Sequence, residues 1–320
     1  MASAGYIGRD DALSLIVEQR SREIIAQAAT VSVAMQTFRQ VAMGSSSLKM
    51  SLLETWPQAQ WLTATAPADP DIVKKPLTEM SWGVKEIFAE EAACIVVIPE
   101  NVIDDADIDL WSEVESRTSE AIARLIDQTV FFGTAPAGSI PASFPVGGIV
   151  GEATAKGHLY AQGTTTATED LAEAWNQTMS LVEADGFNVS NSYSDGSIKG
   201  TLRGLRDANG TPIYVTNLAG GGPTQSVYGV PISYVTNGSW DKSKALAVMG
   251  DASMAVLGIR QRLTAKRLTE ATVGTFNLAE QDMVGLRVKT RLAFAVLVPK
   301  GPGQTATPYP FAVLAPKAGP

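Results

Sequence analysis

The sequence predicts a mixed helical and sheet fold, and three observations predict it. Residues from Leu110 to Phe132 carry an apolar stripe at helical spacing. Residues from Val284 to Val298 alternate apolar and charged side chains along one long strand. Between Leu48 and Phe88 lies a Pro-rich stretch that holds three of the six tryptophans yet lacks the bulk for a core of its own.

From the N-terminus, Leu13, Ile16, Val17, Ile24 and Ile25 recur roughly at helical spacing, with Arg20, Arg22 and Glu23 between them. Residues 29–35 then alternate like an extended arm. The next stretch carries Pro57, Pro67, Pro70 and Pro76 together with Trp56, Trp61 and Trp82. Loops of this length are usually functional or disordered, and tryptophans in one imply a covering partner. Folded back as a hairpin, each limb would reach on the order of 50 Å at strand rise. Residues 92–98 read as a buried strand stopped by Pro99.

Asp104, Asp105, Asp107 and Asp109 then lead into the long helix, where acidic residues favour the positive end of the helix dipole. Its stripe is Leu110, Val114, Ala121, Ile122, Leu125, Ile126 and Val130, and Gly133 ends it. At about 1.5 Å per residue it would span roughly 33 Å. A Gly/Pro/Ala loop over 133–148 marks a boundary. A second helix is predicted over 169–184, opened by a Thr166/Glu169 capping box and closed by Asp185-Gly186. Its inward face is Leu171, Ala174, Trp175, Thr178, Leu181 and Val182. Strand and turn signals alternate from Phe187 to Val235, and 244–249 reads as a buried strand. In the last third, Leu286, Val288, Leu292, Phe294, Val296 and Val298 alternate with Arg287, Lys289 and Arg291. The predicted partner strand, 259–268, carries Arg260, Arg262, Lys266 and Arg267.

With 320 residues and a net charge of -8, the chain can bury a core but lacks the basic excess of a phosphate-gripping protein. The one cysteine, Cys94, excludes an intrachain disulfide and reads as a buried thiol. No stretch is apolar enough to span a bilayer as a helix, and no membrane partner is expected. The Asn-x-Ser/Thr matches at Asn176, Asn188, Asn209 and Asn237 read as chance.

Chemistry is sparse. The only histidine, His158, sits in a Gly-rich loop without nearby cysteine and reads as a solvent-facing residue rather than a triad or zinc ligand. The aspartate cluster lacks the Gly and distal Glu of a calcium loop and reads as helix-start carboxylates. Gly220-Gly221-Gly222 precedes a strand pattern, unlike a phosphate cradle, and no nucleophile elbow occurs. No catalytic residue, cofactor or metal is expected. The basic strip Arg260, Arg262, Lys266, Arg267, Arg287, Lys289 and Arg291 lacks interleaved aromatics, so it reads as a wet sheet face making ionic contacts between subunits.

The order of these stretches resembles the major capsid proteins of tailed phages, the Hong Kong 97 fold, over nearly the whole chain. Ile24-Ile25-Ala26-Gln27-Ala28 with Ser32-Val33 resembles the family's N-terminal arm. Pro57-Gln58-Ala59-Gln60-Trp61 resembles the entry of its extended loop, and residues 92–106 the strand and short helix before its spine helix. Phe132-Gly133 and Gly147-Gly148-Ile149 resemble the loop after the spine. Residues 205–212 with Tyr228-Gly229-Val230-Pro231 resemble its axial domain, with Gly250-Asp251 opening the return to the peripheral domain. Residues 282–287 with Arg291 resemble its C-terminal strands.

The resemblance implies an α+β subunit in four parts. These are an N-terminal arm (1–47), an extended loop (48–88), a peripheral domain (89–145 and 255–297) with spine helix and long antiparallel sheet, and an axial domain (146–254 and 298–320). It implies self-assembly through hexamers and pentamers into an icosahedral head, built in the host bacterial cytoplasm, that encloses double-stranded DNA by non-specific contact. A portal is an implied partner. Only about twenty residues precede the arm, so any scaffolding protein is expected to be separate. Expected contacts between subunits are Trp56, Trp61, Trp82, Lys74, Lys75, Ile24, Ile25, Arg260, Arg262, Arg287 and Arg291. Lysine cross-linking is not expected. Removal of 48–88 is expected to leave a folded subunit that does not assemble. The alternatives are an encapsulin-type compartment shell of the same fold, a soluble hydrolase, and a DNA-binding protein using the basic strip.

Overall fold

The structure is a computed structural model that describes residues 32–59, 61, 77–104, 110–164, 169–206, 209, 226–301 and 308–317. The long strands β10 (Ala255–Leu268) and β13 (Met283–Val296) form an antiparallel pair. They are flanked by β1 (Arg39–Ala42), parallel to β10, and β4 (Glu90–Pro99), antiparallel to β13. The order is β1-β10-β13-β4. Strand alternation sorts β13: Val284, Leu286, Val288 and Phe294 turn inward, while Arg287, Lys289 and Arg291 turn outward. β4 is not the buried strand that its apolar run predicts. It is the sheet's edge, so Ala93 and Ile95 are exposed and Cys94 is half-buried.

Helix α3 (Leu110–Phe132) covers the inner face and spans about 34 Å. It begins and ends where the sequence predicts. Ile122, Ile126 and Val130 are buried, Leu125 is half-buried and Ala121 is exposed. Gly133 ends the helix with a positive φ of 57° and meets α4 (Gly148–Ala155) backbone to backbone. A Cβ on Gly133 would stand 2.4 Å from Gly148 N, so only glycine fits this junction. Glu100–Asp104 forms a short helix, α2; Asp105, Asp107 and Asp109 lie outside the described residues.

A second sheet has six strands in the order β5-β14-β9-β6-β8-β7. They are β5 (Leu159–Ala161), β6 (Asn191–Asp195), β7 (Ser226–Val227), β8 (Val230–Val235), β9 (Ala247–Gly250) and β14 (Phe311–Ala315). Helix α5 (Leu171–Ala184) packs on one face, burying Leu171, Ala174, Trp175, Thr178, Met179 and Val182 against Met249 and Leu314. Its cap is Asp170, which accepts from Leu171 N–H at 2.7 Å. The predicted capping-box Glu169 instead accepts from Gly163 N–H at 2.7 Å, and Thr166 lies outside the described residues. Ile198–Gly204 is a helix, α6, inside a stretch that reads as strand and turn. β11 (Thr272–Val273) and β12 (Phe276–Asn277) form a small separate ribbon.

Phe38 joins the two sheets. Its ring lies 5.8 Å from Phe131 of α3, 5.4 Å from Tyr193 of β6, 6.2 Å from Phe294 of β13 and 6.1 Å from Phe311 of β14. The arm just before it is not extended throughout. Val33–Thr37 forms a short helix, α1, because Ser32 caps it by accepting from Met35 N–H at 3.2 Å.

His158 is buried, contrary to its reading as a solvent-facing loop residue. Its Nε2 lies 2.7 Å from Asp185 Oδ2, which also accepts from Tyr309 N–H at 2.8 Å. The Gly-rich loop is thereby tied to the end of α5 and the start of β14.

Candidate assembly surface

β2 (Ser47–Thr55) and β3 (Ser81–Phe88) form the predicted hairpin, with limbs of about 30 Å at strand rise. Its two faces differ. Leu48, Met50 and Ile87 point toward the body and join Met43, Ala89, Ala293 and Ala295 on the outer face of the four-stranded sheet. Gly258 of β10 makes room for this root, since a Cβ there would stand 2.5 Å from Met43 Sδ. The other face carries Trp82, Val84 and Phe88, which are 61%, 62% and 48% exposed. Lys49 and Glu86, cross-strand partners 4.0 Å apart, interrupt that stripe. Beyond the strands, Trp61 is 96% and Leu77 94% exposed. Apolar side chains gathered this way on a protein surface mark an interaction surface.

Apart from the arginines, the sequence-predicted contact residues fall into three groups. Trp61 and Trp82 stand clear of the body. Trp56 is partly engaged with it: its indole N–H donates to the Lys300 carbonyl, and Lys300 N–H donates to Leu53 O at 3.2 Å. Lys74, Lys75, Ile24 and Ile25 lie outside the described residues. Sequence reasoning missed Leu77, Met80, Val84 and Phe88. The even positions of Trp82, Val84 and Phe88, interrupted by Glu86, were the available signal.

The cations do not form one strip. Lys266, Arg287, Lys289 and Arg291 share the outer sheet face with Ala293 and Ala295, and Lys289 lies 4.0 Å from Glu91. Arg267 is on the helix side, 5.5 Å from the Trp111 ring and 3.8 Å from Glu100. Arg262 lies beside Ile122 and Ile126. Arg260 reaches back to Met43 O at 3.4 Å. Register shifts between Ile259 and Gln261 and between Gln261 and Thr264 break the phase of β10, so residues adjacent in a linear reading part company.

The arm is fixed where it leaves the body. Buried Asp127 of α3 accepts from Ser32 Oγ at 2.7 Å, Ala34 N–H at 3.0 Å, Val33 N–H at 3.2 Å and Asn237 Nδ2 at 2.6 Å. Burial pushes its pKa above the ordinary value, while the hydrogen bonds from Ala34, Ser32, Asn237 and Val33 pull the other way. One carboxylate thus clamps the arm, the spine helix and the loop after β8. Sequence reasoning did not single it out.

The comparisons agree with this architecture. The model of the phage capsid family matches residues 14–301. The probable major capsid protein gp17 of Mycobacterium phage D29 is 22% identical over 286 residues, covering 86% of this chain and 85% of its own. A solved structure from Microbacterium phage Oxtober96 superposes with a TM-score of 0.79 at 36% identity, covering 98% of this chain and 100% of that one. One from Mycobacterium phage Adephagia gives 0.78 at 30% identity, covering 99% and 100%. The capsid of a native GTA particle shares the fold alone, with a TM-score of 0.64 at 17% identity and 91% of each chain covered. The encapsulin alternative finds no support among these matches. Family match, sequence relative and fold converge: the chain belongs to the phage capsid family, with the Hong Kong 97 fold, and is a structural major capsid protein of a tailed phage.

Proposed function

We propose that the subunit assembles through hexamers and pentamers into an icosahedral head, and that the outward face of the β2–β3 hairpin is where one copy grips the next. The observation that carries this is the uncovered row Trp82, Val84 and Phe88 on a hairpin whose opposite face is packed at its root. Large rigid aromatics are the residue type that dominates interface energetics. Trp61, Lys74 and Lys75 accompany them, and Trp56 braces the hairpin from within. Residues 89–145 and 255–297 serve as the peripheral body, and 146–254 with 298–320 as the axial one. Lys266, Arg287, Lys289 and Arg291 make ionic contacts between subunits. The head encloses double-stranded DNA, touched without sequence preference, since a net charge of -8 supports only weak attraction to phosphate. A separate scaffolding protein and a portal complete the set of partners, and assembly takes place in the host bacterial cytoplasm.

The test replaces Trp82→Lys and Val84→Lys together. Both side chains are exposed, so the free subunit should unfold within about 0.5 kcal/mol of the parent. Electron microscopy should then show no closed particles. Particles of normal size and yield would overturn the role of this face. A deletion of 48–88 is a poorer test than the sequence suggests, because it strips Leu48, Met50 and Ile87 from the sheet they cover. Removing 57–79 leaves that root in place.

A further inference from the structure

The described chain begins at Ser32, and three residues later Met35 rims an apolar groove of about 170 Å³. The groove runs between Ile122 and Ile126 of α3 and Leu257, Ile259 and Leu263 of β10. Its origin lies in the strand. β10 shifts register twice against β13 between Ile259 and Thr264, and a bulged strand bends where its ladder is broken. A straight helix cannot follow that bend, so a gap opens beside it. The polar groups nearby are satisfied internally: Thr290 Oγ1 donates to Gln261 O at 3.1 Å, and Gln40 Nε2 to Met35 O at 2.6 Å. What remains is an apolar trough with one cation, Arg262, among its lining residues. A volume of this size takes one or two aliphatic side chains or a small hydrocarbon.

A candidate occupant is built into the same chain. Residues 13–25 carry Leu13, Ile16, Val17, Ile24 and Ile25 at roughly helical spacing, an apolar stripe that requires a surface to cover it. Glu18 and Glu23 are balanced by Arg20 and Arg22, so the segment carries no net charge and its apolar residues are what a groove can take up. The segment rejoins the described chain beside the groove itself. Residues 26–31 can bridge up to about 20 Å when extended, ample for a turn back onto α3. We propose that the N-terminal stripe docks in this groove of its own subunit. That assigns Ile24 and Ile25, read from sequence as contacts between subunits, to a contact within one.

Docking of this kind does not depend on shell formation, because it is read on the free full-length subunit. In a Cys94→Ala background, Ile24→Cys is combined with Ile259→Cys and treated with a short bismaleimide. The expected product is a cross-link within one chain, seen as a monomer whose peptide map joins the two sites. A cross-linked dimer, meaning that a neighbour's segment fills the groove, would overturn the proposal. So would the absence of any link, which would leave the groove to another protein. A second measurement guards against a groove disturbed by cysteine. With Ile24→Asp and Ile25→Asp, amide exchange across 257–263 should accelerate at least tenfold, while Val146→Asp on an exposed loop leaves it alone. Unchanged exchange in the double variant would equally sink the proposal.

Discussion

Asp127 shows how much a single residue can hold. Its two oxygens accept from four donors, on residues 93 to 110 positions away in sequence. Asp127→Ala should therefore destabilise the subunit by roughly 3–5 kcal/mol, because three buried donors and the half-buried Asn237 amide lose their acceptor at once. Asp127→Asn should recover only part of that, since an amide presents one acceptor oxygen and turns its N–H groups toward existing donors. The pH dependence has a definite sign. The folded-state pKa lies above the ordinary 3.8, so the native state holds the proton longer than the unfolded chain does. The group's contribution is full below the unfolded value and declines as pH rises through the folded one. Urea unfolding of parent and Asp127→Ala across that window should show the gap between them narrowing with rising pH. A gap that widens would mean that the hydrogen bonds outweigh burial. None of this was legible in the sequence. A lone aspartate beside Ile126 on an apolar stripe looks like an ordinary interruption until the arm and Asn237 are brought to it. His158 is the same lesson in reverse: its Gly-rich neighbourhood reads as exposed, and a partner 27 positions away buries it.

Elements were more legible than residues, and the reason is periodicity. α3 has the predicted bounds because its apolar stripe ends at a glycine that the fold also requires. β13 alternates as read until Arg291, where the hairpin root covers the outer face and both faces become buried. Periodicity fails where the neighbour decides. The apolar run in β4 resembles a central strand, yet the strand lies at an edge. The cations of β10 resemble one band until two bulges divide them. The junction of α3 and α4 offers the sharpest test at this scale. Gly133→Ala would force a Cβ into the backbone of Gly147 and Gly148 and impose a left-handed φ on a side chain. The expected cost is about 2–4 kcal/mol, well beyond the usual glycine-to-alanine effect in a loop. Thermal unfolding reads it directly. By contrast, Gly138→Ala, also at positive φ but with open space around it, should cost about 1 kcal/mol. Equal losses at both positions would mean that backbone strain, not the close approach, sets the requirement at Gly133.

For the whole molecule, the question is whether shell formation is a property of each subunit or of the ring. If every copy lends its hairpin to the next, the contacts close on themselves and one defective member breaks the circle. Linked contacts of this kind are weak singly and strong together, so their loss is steeper than their number suggests. Subunits carrying Trp82→Lys and Val84→Lys keep the hairpin root on the sheet and should remain folded, which makes them fit to be mixed with the parent. If incorporation is random and each six-membered ring needs six intact hairpins, one defective subunit in four leaves about one fifth of rings intact. Particle yield by sedimentation should fall at least that far, while the total soluble protein stays constant. A yield that declines only in proportion to the defective fraction would show that subunits join the shell independently. In that event the exposed row Trp82, Val84 and Phe88 would have to be covered by something other than the neighbouring copy.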